Sequence, residues 1–441
     1  MANIYRVKKK ISTFSNKKIR VTGDKSLSIR WVLISSLANG TSIATNLLNS
    51  EDVEAAINAV KKLGIKVLRK KNKCIIYGKG IDGYDYRKNI IIDAKNSGTL
   101  GRLILGLLVN SDKKIKLIGD NSLSKRDFKR IADPLKKFGA SFELKNNHNL
   151  PLTIIGPKKL KPINFTENKG SAQCKSSVIF AALRTSGITK IKAKKSRNHT
   201  ELLCKYLKLP IKITEKKNYD VISVKKTETI PPLIYDIPSD ISSAAFFIVL
   251  TILTPNSSII IKDVNVNPSR TGVLTILKRM GAKIILRNIK NYKGEKICDI
   301  HVYDSISSLK KINCPPRLNS GAIDEFLLIF LVAAKAKGIS RFKNLSELNQ
   351  KESPRLIWGE KILNLIGIKT EVKNDSIKIY GNPNLKINKK IVINKFLKDH
   401  RVFMTSVIAG KCFGGNWYIH DRDSINTSFP NFLKIINDLD K

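Results

Sequence analysis

Cysteine, aromatic side chains, acidic residues and long apolar runs are all in short supply in this chain. The six cysteines are Cys74, Cys174, Cys204, Cys298, Cys314 and Cys412. None falls in a C-x-x-C or other metal-ligand spacing, and none sits near a histidine in sequence, which fits reduced thiols in the cytoplasm. The longest apolar stretches, Ala244–Leu253 and Phe326–Ala334, are far below the ~20 residues that a membrane-spanning helix needs. The basic first 18 residues contain no apolar segment of the secretory kind, so a soluble, cytoplasmic protein is expected. Aromatics make up only 7% of the chain. A nucleic-acid-binding protein would show a concentrated basic tail or stripe with interleaved aromatics, and no such segment is present.

Acidic residues number 35 against 81 Lys and Arg among 441 residues, a formal charge of +46. The lysines are spread over the whole length, as uniform compositional drift would produce. The surplus also suits small anionic substrates, through steering and direct ion pairing. Hydrophobic residues at 42% exclude a wholly disordered chain, and the length favours two or three domains, each with its own core.

One phrase recurs along the chain: a helical stretch, then Gly, then an alternating apolar strand. It reads VKKLGIKVL at Val60–Leu68, LKKFGASFEL at Leu135–Leu144, LKRMGAKIIL at Leu277–Leu286 and NLIGIKTEV at Asn364–Val372. YLKLPIKIT at Tyr206–Thr214 reads as a further copy, with Pro210 in the place of the glycine. A glycine ending a helix in the left-handed conformation and feeding a strand gives this pattern a physical sense. The spacing corresponds to about six units of roughly 74 residues, a size that suits a small α/β unit rather than a solenoid repeat. The fold class expected is α/β (α+β). Helices are predicted at Ser26–Ala38, Asp52–Leu63, Gly98–Val109, Gln173–Leu183, Ser243–Leu253 and Asp324–Ala336.

Chemistry-bearing residues gather at the starts of these helices, where free N–H groups and the helix dipole favour anions. Lys25, Ser26 and Arg30 lie in the first turns of one; Asn96-Ser97-Gly98 precedes another. Arg126 stands in a polar turn, and Ser171-Ala172-Gln173 and Ser196 open two more helices. His199 and Asp240 read as structural. The last third combines carboxylates and cations: Asp324-Glu325, Lys351-Glu352 with Arg355, and Asp399-His400-Arg401. Anion binding with general acid–base chemistry needs such parts.

In order, GDKSLSIR, NSGTLGRL, GDNSLSKR, SAQCKS, SRNHTE, DIPSDISSAAFF, NPSRTG, AIDE, QKESPR, DHR and NTSFP resemble the enolpyruvyl transferase family, and within it the branch that acts on shikimate-3-phosphate. The resemblance covers nearly the whole chain. It implies a two-domain fold of six βαβαββ-type units, three per domain, with the active site in a cleft between the domains. The domains would be residues 1–22 with 238–441, and 23–237. It implies transfer of the enolpyruvyl group of phosphoenolpyruvate to the 5-hydroxyl of shikimate-3-phosphate, through a tetrahedral intermediate, with release of phosphate. No metal or other cofactor is implied, and a monomer is expected.

By the same resemblance Lys25 touches both substrates. Ser26 and Arg30 hold the shikimate carboxylate, and Ser171, Ala172 and Ser196 surround its phosphate. Gln173 contacts both ligands, and Lys351 lies on the shikimate side. Asp324 is the candidate base for the 5-hydroxyl. Gly98, Arg126, Arg355 and Arg401 match the phosphoenolpyruvate site, and Glu352 the proton shuttle at its methylene carbon. The sequence departs from the family pattern at Pro354, where Asp is usual, at Asp127 for Pro, at Ser239 for Gly, and at Thr427, where one branch has Lys. The alternatives are transfer to UDP-N-acetylglucosamine, whose enzymes typically carry a loop cysteine that GDNSLSKR lacks, and a basic nucleic-acid-binding protein.

Overall fold

The computed structural model describes residues 3–70, 73–87 and 89–441. The chain packs as two compact units. One comprises Met1–Thr22, Pro238–Asn291 and Lys296–Lys441; the other comprises Gly23–Ile237 with Tyr292–Glu295. Each has its own hydrophobic core.

In the second unit three four-stranded sheets share one topology. Ile90–Asp93 runs parallel to Ile115–Ile118, which pairs antiparallel with Asn149–Ile155, and Ser141–Lys145 closes the edge. The set Asn164–Glu167, Ile188–Lys194, Tyr219–Lys225 and Ile211–Glu215 repeats that order. A parallel strand pair needs a crossover, and the helices Gly98–Leu108 and Ala172–Ala182 supply it. In the third sheet Asn39–Thr45 is flanked by Ile234–Asp236, which runs parallel to it. The first unit holds three further sheets among the described residues. In one, Lys17–Ile19 lies parallel to Ser258–Asn265; in another, Tyr5–Val7 pairs antiparallel with Gly414–Ile419. Six sheets of this kind bear out the α/β unit count read from the repeats.

Each sheet has an almost wholly buried helix whose start carries one of the sequence motifs. They are Lys25–Ser36, Gly98–Leu108 and Ala172–Ala182 in the second unit, and Ile241–Ile252, Phe326–Lys335 and His400–Phe413 in the first. Apolar residues all round account for the burial of Ile241–Ile252 and Phe326–Lys335, whereas Lys25–Ser36 and Ala172–Ala182 also bury serines and the partnered cations Arg30 and Lys175. Most predicted boundaries shift by one or two residues, and one shift moves a site residue out of its helix. Asp324 was expected to begin its helix, but Asp324 lies in a turn and Glu325 is the cap preceding Phe326.

The recurring glycines Gly64, Gly139, Gly281 and Gly367 all have φ between +83° and +106°. The fifth copy needs correction. Its left-handed residue is Lys208, at φ +55°, directly after the helix cap Leu207, and not Pro210. Asn, Asp and Lys at such positions bear a steric cost that glycine avoids.

Candidate active site

In the second unit Asp24 caps the helix Lys25–Ser36 by accepting a hydrogen bond from the Leu27 N–H at 2.9 Å. Gly23 just before it has no space for a side chain: a Cβ there would lie 2.0 Å from the Asn46 carbonyl oxygen. The Lys25 ammonium pairs with the buried Asp52 at 3.0 Å. One helical turn on, Arg30 is buried, its Nε donating to Thr200 Oγ1 at 2.8 Å and its terminal nitrogens to the Ser26 carbonyl and Ser176 Oγ. Burial lowers the Arg30 pKa to about 10 against the attraction of Glu201, so it stays a cation at neutral pH. The Thr200 hydroxyl in turn donates to Ser176 at 2.7 Å. Arg30 is therefore fixed by residues from two other sequence motifs.

Ser171 caps the next helix through the Cys174 N–H, with Ala172 as its first residue. Gln173 donates to Thr99 Oγ1 at 3.0 Å and accepts from Arg102. The buried Ser196 hydroxyl oxygen has no hydrogen-bond partner among the described residues. Arg126 donates to Asn96 and Ser122 at 3.3 and 3.4 Å. A Cβ on Gly98 would stand 3.1 Å from the Arg126 guanidinium, so the bare glycine leaves that cation room. His199 and Asp240, read as structural, both have partners within the fold. His199 Nδ1 meets Glu295 at 2.7 Å with both side chains buried, and Asp240 caps the helix Ile241–Ile252.

In the first unit a tight cluster of charges surrounds Arg355. Its side chain is only 2% exposed, yet it reaches three carboxylates. Nε donates to Asp399 Oδ2 at 2.8 Å, one terminal nitrogen meets Asp324 Oδ1 at 3.3 Å, and the other bonds Glu352. Burial alone would lower the Arg355 pKa, but Asp399, Glu352 and Asp324 more than reverse this and raise it. Burial raises the Asp399 pKa, but the charge and hydrogen bond of Arg355, with the charge of His400, together outweigh it, so it lies below its ordinary value. Lys351 Nζ lies 3.5 Å from Asp324, and Arg401 donates to the Asp324 carbonyl oxygen at 2.8 Å. Lys351, Glu352, Asp324, Arg355 and Arg401 are thus brought together from segments far apart in the chain. Ser353 donates to Asp399 as well.

Asp399 and Glu325 stand in the charged motifs of the last third, but the sequence alone assigns neither an individual role. Asp399, just before an apolar helix, caps it through the Arg401 N–H at 2.9 Å. Of the departures from the family pattern, Pro354 sits at the helix cap before Arg355, and Ser239 donates to the Val21 and Lys262 carbonyls. Asp127 accepts from the Arg130 N–H at 3.4 Å, and Thr427 approaches His400 Nδ1 at 3.3 Å. No group of three or more His, Cys, Asp and Glu among the described residues is placed to hold a metal ion. No described helix is long and apolar enough to cross a membrane. A surface groove of ≈ 730 Å³ beside the C-terminal helix, lined by Arg422, Lys434 and Asp438 among others, contains none of the residues above.

The repeated units and motif-bearing helix starts are those of an enolpyruvyl transferase fold. The enolpyruvyl transferase NikO from Streptomyces tendae superposes with a TM-score of 0.76 over 99% of this chain and 97% of its own, at 12% identity, which speaks to fold alone. The EPSP synthase from Acinetobacter baumannii aligns with a TM-score of 0.87 and 32% identity, covering 99% and 98% of the two chains. The 3-phosphoshikimate 1-carboxyvinyltransferase of Caldicellulosiruptor bescii is 38% identical over 425 residues, 96% of each chain. That of Zymomonas mobilis is 36% identical over 427 residues, 96% of this chain and 93% of its own. Residues 10–436 match the family described as EPSP synthase (3-phosphoshikimate 1-carboxyvinyltransferase). This chain belongs to that family.

Proposed function

We propose that this enzyme transfers the enolpyruvyl group of phosphoenolpyruvate to the 5-hydroxyl of shikimate-3-phosphate and releases phosphate. Protonation of the methylene carbon makes C2 electrophilic, the hydroxyl adds, and the tetrahedral intermediate then loses phosphate. The observation that carries this reading is Arg355, almost fully buried yet bonded to Asp324, Glu352 and Asp399. A carboxylate for the hydroxyl proton and another for the methylene carbon then stand on one cation that also serves an anionic substrate.

Asp324 takes the proton of the 5-hydroxyl, while Glu352 moves the proton at the methylene carbon. Arg355 and Arg401, with Arg126 and Gly98, hold phosphoenolpyruvate. Ser171, Ala172 and Ser196 receive the shikimate phosphate, which matches the unpartnered Ser196 hydroxyl. Ser26 and Arg30 take the shikimate carboxylate, Lys351 a further shikimate contact, and Lys25 and Gln173 both ligands. Holding two polyanions in register lowers the entropic part of the barrier. The division into residues 1–22 with 238–441 and 23–237 belongs to the same proposal. The enzyme works in the cytoplasm as a monomer, which light scattering on the purified chain would check.

The deciding experiment is phosphate release from phosphoenolpyruvate with shikimate-3-phosphate, with UDP-N-acetylglucosamine, and with no acceptor. Release that depends on shikimate-3-phosphate is expected. Release only with the sugar nucleotide, or with neither, would overturn the proposal.

A further inference from the structure

Three of the sequence motifs, DIPSDISS, NPSRTG and AIDE, meet at one buried carboxyl group. Glu325 has a side chain that is 0% exposed, and the Arg401 guanidinium lies 3.6 Å from its Oε1. The Ser242 hydroxyl donates to that same oxygen. Arg270 donates to Ser242 Oγ at 2.7 Å, which turns the hydroxyl proton toward Glu325, and Arg270 also faces Asp240 at 3.4 Å. A chain of polar contacts thus runs from Arg270 through Ser242 and Glu325 to Arg401.

We propose that Glu325 is a positioning residue for enolpyruvyl transfer, orienting the Arg401 guanidinium toward the phosphoenolpyruvate anion. The inference rests on the reading of Arg401 as a phosphoenolpyruvate ligand. Adjacent residues divide the work. The Asp324 carboxylate faces Arg355 and Lys351, whereas the Glu325 carboxyl faces Arg401, whose NH1 is also held by the Asp324 carbonyl. One hydrogen bond to the Asp324 carbonyl and one ion pair with Glu325, both on the same guanidinium nitrogen, define its position, which a mobile side chain would lack.

A purely structural role is a poor account of this group. Burial raises the Glu325 pKa against the pull of Arg401, and its Oε2 has no hydrogen-bond partner among the described residues. A buried carboxyl with an unsatisfied oxygen costs stability, and an apolar side chain of similar size would fill the space without that cost.

The test uses the full-length enzyme and separate KM values for the two substrates. Glu325→Gln keeps the size and the acceptor for Ser242 but removes the charge beside Arg401. It should raise the phosphoenolpyruvate KM about tenfold and leave the shikimate-3-phosphate KM within about twofold. Glu325→Asp should recover part of the loss, and Ser242→Ala should raise the same KM about threefold. A phosphoenolpyruvate KM unchanged in both Glu325→Gln and Ser242→Ala would overturn the inference. So would KM values that rise together, which loosened packing alone produces. If Glu325→Gln does not fold, Ser242→Ala decides alone. A wild-type chain without shikimate-3-phosphate-dependent phosphate release would sink the functional reading and this inference together; an active wild type with unaltered variants would sink only the inference.

Discussion

Asp399 and Arg355 form an ion pair that serves stability and, under the proposed function, the substrate site as well. Each is almost wholly buried, and each offsets the cost of desolvating the other. Replacing Asp399 with Asn leaves Arg355 with Glu352 and Asp324 but without its most buried partner, and should cost about 3 kcal/mol at neutral pH. The pH dependence has a definite sign. The folded pKa of Asp399 lies below its ordinary value, because Arg355 and His400 together outweigh burial. The stabilisation is therefore complete above the unfolded value of about 3.9 and is lost as pH falls through the lower folded value. Urea unfolding of wild type and Asp399→Asn should give a constant difference between about pH 5 and 8, shrinking below about pH 4. A difference that held steady into stronger acid would show that packing, not charge, links the two residues.

At the level of the element, helix ends carry both the repeat and the residues of the proposed site. Lys208 occupies the left-handed position that glycine fills in the other copies of the repeat. Lys208→Gly should stabilise the enzyme by about 0.5–1 kcal/mol, since relief of the left-handed strain exceeds the extra freedom of an unfolded glycine. A lowered urea midpoint would contradict this. Gly23 faces the opposite constraint, with the Asn46 carbonyl and the Ile237 side chain pressed against it. Gly23→Ala should destabilise by about 1–3 kcal/mol and displace the helix start that presents Lys25. A variant with unchanged unfolding midpoint and turnover would show that this backbone contact yields freely. The repeat's glycines were legible in the sequence because one residue type solves one local problem. Lys208 was not, because Pro210, two positions on, is the stronger helix-stopping signal in the sequence.

For the molecule as a whole, the charge of +46 meets substrates that are both polyanions. Long-range steering should make kcat/KM for phosphoenolpyruvate and shikimate-3-phosphate fall several-fold between about 20 and 200 mM salt, as screening shortens the reach of the surface lysines. kcat should change much less, because buried pairs such as Arg355 with Asp399 are little screened. Stopped assays across that salt series would check both, and a kcat that fell as steeply as kcat/KM would point to screening within the site itself. The exchange of short strands belongs to this scale too. Lys17–Ile19 precedes the Lys25 helix yet pairs with Ser258–Asn265, and Ile234–Asp236 precedes the Ile241 helix yet pairs with Asn39–Thr45.

The sequence by itself determined the unit count, most of the helix starts and the cations beside them. Capping residues, left-handed glycines and apolar periodicity act over a few neighbours, so their traces are local. Lys25, Arg126, Arg355 and Arg401 stood out as cations beside such starts. Tertiary structure alone decided which carboxylate meets which cation. Asp399 is 44 residues from Arg355, and the Asp324 carbonyl is 77 from Arg401. No spacing rule spans such distances; the pairing follows from which helix starts the packed core brings together, and a charge buried there must find its partner across space.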